Sequence, residues 1–323
     1  MTTSKRMPGN PIYTDKNDDA IVLEKYRQVY RKYLDDKIID MDKRMKHPFD
    51  FQIYPLETAV PYVGYTVPPS RQTPYWIVLV KKGSCEKSIG SFTFPVKEQT
   101  LYIVPKRVLH SSNHWSADIS GYVLLFNIDF FLNNAFPKHL ISNKKVLKNS
   151  IRPFLYLDAP QTKQLSDMFE TILQERSGNE RERKEMIAIK ILEILINCDR
   201  LFSRAEQIGN ESYYHPVVER FNSLLEANFM KERMVNLYAA ALDVHPNNLN
   251  FLIREHTGIS AKQTINNRII TEAKYLLVHS DQNIKDIANQ LGFEEAHNFS
   301  TFFKKNAGTS PLAYKASLIA SPQ

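Results

Sequence analysis

Two stretches near the C-terminus carry the same spacing of apolar positions. Val235, Tyr238, Ala239 and Leu242 fall at i, i+3, i+4 and i+7, and Ile284, Ile287, Ala288 and Leu291 repeat that spacing. This is the buried stripe of a short helix, so each stretch predicts one. A turn follows in each. Gly292 stands where a helix commonly ends left-handed, and Asp243 is a tolerable substitute at the matching place. Val244 and Phe293 come next as apolar plugs. A second helix is then marked by Leu249, Leu252 and Ile253 in the first copy and by Phe299, Phe302 and Phe303 in the second. Both copies close on a glycine and a serine, Gly258 with Ser260 and Gly308 with Ser310. Between the copies, residues 264–279 place Ile265, Ile269, Ala273 and Leu276 along one helix face.

Helix, tight turn, helix is the arrangement whose second helix enters the major groove of DNA. A bundle of small helices without that role is the alternative for one such unit. Two units in register, each with a polar outer face on its second helix, argue against it. At 100° per residue, Asn247, Phe251 and Arg254 point outward in the first copy, flanked by Asn248 and Asn250. In the second, His297, Thr301 and Lys304 point outward, with Glu294, Asn298 and Ser300 on the flanks. Asn bonds adenine through two atoms and Arg does so with guanine. Asn is also a weak helix former, so three on one exposed face call for a reason. Lys304 and Lys305, near the helix end, suit phosphate better than base edges.

Upstream the pattern changes. Residues 1–20 are polar, with Pro8, Gly9 and Pro11, and predict a mobile arm; residues 21–41 predict one amphipathic helix. From about Phe49 to Phe131 short runs rich in β-branched and aromatic residues (TAVPYVGYTV, YWIVLV, KSIGSFTFPV, TLYIVP, GYVLLFNIDF) alternate with turn residues, which predicts a barrel or sandwich. Residues 161–174 and 182–202 then predict a helix pair joined by a polar turn at Gly178. The second of these has apolar residues around more of its circumference (Ile187, Ile189, Ile191, Leu192, Ile194, Leu195, Ile196, Cys198, Phe202) than packing on one surface needs. Residues 204–216, with Gly209 and Asn210, read as a linker.

Composition adds limits. A chain of 323 residues accommodates two cores. The formal charge of +7 favours polyanionic partners, yet from Val217 onward eleven basic residues stand against ten acidic ones, so charge alone does not single out that half. Cys85 and Cys198 are expected as reduced thiols packed like small apolar groups. The first twenty residues lack an apolar run of signal-peptide length, and no run approaches the ~18 residues of a membrane span, so a cytoplasmic protein without a membrane anchor is expected.

The C-terminal residues, above all IKDIANQLGF followed by FSTFFKKNAGTSPLAYK, resemble the DNA-binding domain of the AraC/XylS family of bacterial transcription regulators. Phe251 and Thr301 depart from that pattern, standing where members often carry Arg. The order GSCEKSIGSFTFPV then TLYIVPKRVLH resembles the cupin-type sensor domain that often precedes it, with VPKRVLH entering the barrel mouth. The fold thus implied is an α+β multidomain chain: an N-terminal cupin-like β-barrel with a helical pair and a C-terminal all-α domain with two helix-turn-helix units. The expected divisions are an arm and helix over 1–48, a sensor and dimerisation domain over 49–203, a linker over 204–216 and the DNA-binding domain over 217–323.

The resemblance implies a regulator, more often an activator, that binds promoter DNA, contacts RNA polymerase, forms a homodimer through the second helix of the pair and answers a small-molecule effector. The DNA contacts expected are Asn247, Asn248, Asn250, Phe251 and Arg254 from the first unit and Ala296, His297, Asn298, Thr301, Lys304 and Lys305 from the second. Arg71, Tyr75, Trp76, His110 and Trp115 are the expected effector contacts, since aromatic walls with one or two polar groups suit a small organic ligand. Enzymatic cupins hold a metal through a His pair, a carboxylate and a later His. Residues 70–76 contain no His, so neither metal, cofactor nor catalysis is expected at His110. An effector-independent regulator whose N-terminal domain only dimerises is the alternative.

Overall fold

A computed structural model describes residues 51–58, 66–72, 74–134, 136–137, 139–148, 152–207 and 215–319. The expected arm and helix over 1–48 lie outside the described residues, as do positions 208–214 of the expected linker. Nine strands form two antiparallel sheets among the described residues. The larger has the order β1 (Phe51–Pro55), β8 (Ser120–Phe126), β3 (Tyr75–Lys82), β6 (Thr100–Val104), β9 (Phe154–Tyr156). The smaller has the order β2 (Thr66–Arg71), β7 (Leu109–Asn113), β4 (Cys85–Ile89), β5 (Phe92–Val96). The sheets remain separate and do not close into the barrel that the cupin resemblance implies.

Packing explains which strands alternate. One face of the larger sheet meets the smaller across Val78, Val80, Tyr102, Val104, Phe94, Val96 and Ile89. Its other face, with Ile53, Ile77, Leu79, Ile103 and Phe126, lies under helices. A strand covered on both sides is apolar throughout, and β6 is buried at all five positions. The run KSIGSFTFPV is a hairpin and not one strand, since Gly90 takes φ 55° and Ile89 pairs with Phe92. GYVLLFNIDF also divides: the strand stops at Phe126, and Asn127 opens α1 (Ile128–Asn133). A four-residue helix, α2 (His139–Ser142), follows.

The helix pair is α3 (Ala159–Ser177) and α4 (Arg183–Gln207). Asp158 and Gln161 bond each other's backbone amides reciprocally at the start of α3. Ile187, Ile191, Ile194, Leu195, Cys198 and Phe202 of α4 are sealed in the chain's own core, where α4 packs along α3 and α3 lies on the larger sheet. These six side chains therefore cover the chain's own core and do not join two chains, which leaves the homodimer expected through this helix to its other faces. Met186 and Ile189 stay 43% and 50% exposed.

The C-terminal half is helical: α5 (Pro216–Asn228), α6 (Val235–Ala241), α7 (Pro246–Thr257), α8 (Ala261–His279), α9 (Ile284–Gln290), α10 (Ala296–Ala307) and α11 (Pro311–Ile319). Both units share one core, in which Leu249, Ile253, Ile265, Ile269, Phe299 and Phe303 are fully buried. Each such side chain contributes roughly 1.5–3 kcal/mol by leaving water. Leu109 from β7 belongs to the same cluster, so the core reaches into the N-terminal half. No helix among the described residues is long and apolar enough to cross a membrane.

Candidate nucleic-acid interface

The two helix-turn-helix units are α6–α7 and α9–α10, and their turns match bond for bond. The amide of Val244 donates to the Ala239 carbonyl at 3.0 Å, and that of Phe293 to the Ala288 carbonyl at 2.8 Å. Asp243 and Gly292 both have positive φ, 56° and 75°. Here glycine serves two purposes, because a Cβ at Gly292 would stand 2.2 Å from the Met230 carbonyl oxygen. Helices α7 and α10 are each twelve residues long. Both end on a glycine at φ 77°, whose amide returns to the carbonyl of Arg254 or Lys304. Ser260 and Ser310 then accept from backbone amides at the start of α8 and α11, each at 3.1 Å. The units are pinned together by Arg233. Its guanidinium lies 3.5 Å over the Phe293 ring and donates to the Leu291 carbonyl.

Helix α7 buries Leu249, Leu252 and Ile253 and exposes Asn247, Asn248, Phe251 and Arg254. Phe251 is 62% exposed, an unusual place for a phenyl ring. Asn250 is half-buried, and its Oδ1 accepts from the Ala261 amide at 3.1 Å, which ties α7 to α8. The N-cap is His245, whose Nδ1 accepts from the Asn247 amide at 3.2 Å. Asn247 is therefore not the cap, and its side chain points away from the fold. Helix α10 buries Phe299 and Phe303 and exposes His297, Asn298, Thr301, Lys304 and Lys305. Ala296 is half-buried in its first turn. The two lysines in the last turn also complement the negative end of the helix dipole.

In the N-terminal half, the five expected effector residues do not share one chamber. Trp76, His110 and Trp115 face the space between the sheets, with the Trp76 ring 5.1 Å from that of His110. Tyr75, one residue earlier on β3, points to the other face and stacks on Phe126 at 5.5 Å. Arg71 leaves the sheets altogether. It lies 4.6 Å over the Tyr275 ring of α8 and pairs with Glu272 at 2.5 Å. Glu272 also takes Arg268 at 2.9 Å, and Arg268 takes Glu226 of α5 at 2.9 Å. Burial alone would raise the Glu272 carboxyl, but Arg71 and Arg268 reverse this and hold it below the usual carboxylate range. Ser91 Oγ adds a second bridge between the halves, donating to Asn222 Oδ1 of α5 at 3.0 Å.

Several of these residues were missed in the sequence, although phase gives them away. Arg268 and Glu272 fall on the α8 stripe beside Ile265, Ile269 and Ala273, where a charge needs a buried partner. Lys87 falls in phase with Cys85 and Ile89 on β4, the inward set. Among the described residues, no group of three metal-ligating side chains comes together. His110 has Lys87 beside it at 3.2 Å.

Paired units of this geometry define a helix-turn-helix DNA-binding domain. A helix-turn-helix domain family model matches residues 238–317. The chain also resembles curated transcription regulators. The HTH-type transcriptional activator RhaS of Enterobacter sp. (strain 638) is 24% identical over 259 residues, covering 76% of this chain and 87% of that protein. The arabinose operon regulatory protein of Escherichia coli (strain K12) is 29% identical over 167 residues, which span 50% of this chain and 55% of the relative. Among solved structures, ToxT from Vibrio cholerae aligns with 84% of this chain and 100% of its own at 16% identity. The TM-score of that alignment is 0.37.

Proposed function

We propose that the chain is a cytoplasmic, sequence-specific transcription regulator that activates by contacting RNA polymerase and answers a small effector held between its N-terminal sheets. The observation that supports this best is the pair of outward helix faces on two units of matching turn geometry, joined through the single helix α8. Asn247, Asn248, Phe251 and Arg254 read one box of promoter DNA, with Phe251 placed for a thymine methyl. His297, Asn298 and Thr301 read a second, with Lys304 and Lys305 on phosphate and Ala296 near the backbone. Asn250 acts on DNA only through the position of α7, given its bond to Ala261. Self-association, in this reading, uses the exposed Met186 and Ile189 of α4.

The test is selection of random duplexes by the full chain. Two enriched boxes roughly 10 base pairs apart, one helical turn, are expected. A single box, or no enrichment over random DNA, overturns the reading.

A further inference from the structure

The interior between the sheets contains a cluster that apolar packing does not explain. Lys87 is 2% exposed. Its Nζ bonds Ser112 Oγ at 2.9 Å and His110 Nδ1 at 3.2 Å, and it lies 5.4 Å from the Tyr102 ring centroid. No carboxylate among the described residues approaches it. The titratable groups facing it are Cys85 on its own strand, His110 on β7 and Tyr102 on β6, with Tyr54 of β1 beyond Tyr102. Burial pushes the Cys85 thiol up to about 12 and holds the Tyr102 phenol well above its ordinary value, so neither is an anion near neutrality.

An ammonium has no lone pair to offer, so His110 Nδ1 must accept from it. Burial and the adjacent Lys87 both hold the His110 ring neutral. Its one proton therefore sits on Nε2, and that N–H is buried without a partner among the described residues. Two more donors nearby lack partners among the described residues as well: the Trp76 indole N–H, from the ring beside His110, and the Ser70 hydroxyl. Ser70 is His110's register neighbour on β2, and Lys87 that of Ser112 across β4 and β7. One cation held by neutral acceptors alone and three orphaned donors thus share one interior, with no anion set against them among the described residues. Buried donors left unpaired are strongly unfavourable, and a buried unpaired charge more so.

We infer that this interior is an anion site, and that the effector carries a carboxylate which Lys87 pairs with and which the Nε2–H of His110, the indole of Trp76 and the hydroxyl of Ser70 complete. Trp76, Phe94 and Tyr102 supply flat apolar walls, so the body of the ligand is small and aromatic or otherwise planar. The inference rests on the reading of the N-terminal half as an effector domain and names the chemistry of that site.

The probes are acetate and benzoate against their neutral counterparts acetamide and benzamide, added to the full chain. The two tryptophans, Trp76 and Trp115, both belong to this interior, so tryptophan emission and thermal melting report on it together. Benzoate is expected to change emission and raise the melting temperature, and benzamide to do neither. Lys87→Met should abolish the response and, without ligand, melt about 2–4 °C higher, because a buried uncompensated cation has been removed. Lys87→Arg should keep part of the response. Burial lowers Lys87 to about 8, so benzoate binding should weaken by about tenfold per pH unit above that value and hold steady below it. Equal effects of acid and amide, or benzoate binding undiminished in Lys87→Met, overturn the anion site. If neutral polyols or amides bind where acids do not, the anion site fails and the effector reading stands. If nothing in either set moves emission or melting, both fail, whatever the duplex selection shows.

Discussion

The two helix-turn-helix units have matching turns and different side chains around them. The first, α6–α7, adds polar bonds to the apolar core it shares with the rest of the C-terminal half. Asn250 ties it to α8, and α8 and α5 receive Arg71 and Ser91 from the N-terminal sheets. The second, α9–α10, relies on aromatic packing, with Phe293, Phe299, Phe302 and Phe303 in mutual contact and Tyr314 against Phe303. Their outer faces differ as well: amides, a phenyl ring and a guanidinium on α7, against a histidine, an amide, a hydroxyl and two lysines on α10. A shared fold fixes where a face points. It leaves open what that face recognises, and the proposed division between reading bases and holding phosphate rests on this difference in chemistry.

Breaking the likeness of the turns should give the largest effect. Gly292→Ala meets the Met230 carbonyl and keeps a left-handed backbone, so a loss of about 3 kcal/mol or more is expected in urea denaturation. Asp243→Gly, at the equivalent place, removes the strain of a side chain at φ 56° and should raise stability by up to about 1 kcal/mol. Equal losses at both turns would show that the match is superficial.

The next effect separates cap from reader on α7. Asn247→Ala should cost about 1–3 kcal/mol of binding at one base position and relax preference there, with melting unchanged. His245→Ala should lose about 1 kcal/mol of stability with the preference intact. An unchanged consensus for Asn247→Ala removes it from the base readers. The smallest effect contrasts the helix ends, where Arg254 and Lys304 hold equivalent positions. Lys304→Ala should weaken specific and random DNA alike and lower the salt slope by about one unit. Arg254→Ala should change the preferred sequence. Uniform weakening by both variants would erase the distinction between the two faces.

Periodicity alone located the buried faces of all four unit helices, and the left-handed turns at Asp243 and Gly292 were legible from residue type. What stayed hidden depends on contacts distant in sequence. Arg71 looked like a residue of the barrel mouth, yet its partner lies 201 positions away on α8. Tyr75 and Trp76 are adjacent and aromatic, and only the register of β3 puts one in each layer. The stripe of α4 is wide because it packs along α3 into the core beneath the larger sheet, which no property of the helix itself reveals. Lys87 was available from alternation, but one lysine in an apolar phase is easily passed over in a strand of five residues.

The chain Arg71–Glu272–Arg268–Glu226 carries a consequence for ionic strength. The side chains of Arg268 and Glu272 are 4% and 3% exposed, beyond the reach of mobile ions. Lys304 and Lys305 stand in solvent, where 0.1 M salt screens charges over about 10 Å. Rising salt therefore acts unequally on the two sets of charges. It loosens any hold that the exposed lysines have on phosphate long before it weakens the bond between the halves. A protein washed off its promoter by salt should come away with the sensor still fastened to the helix that spaces its two readers.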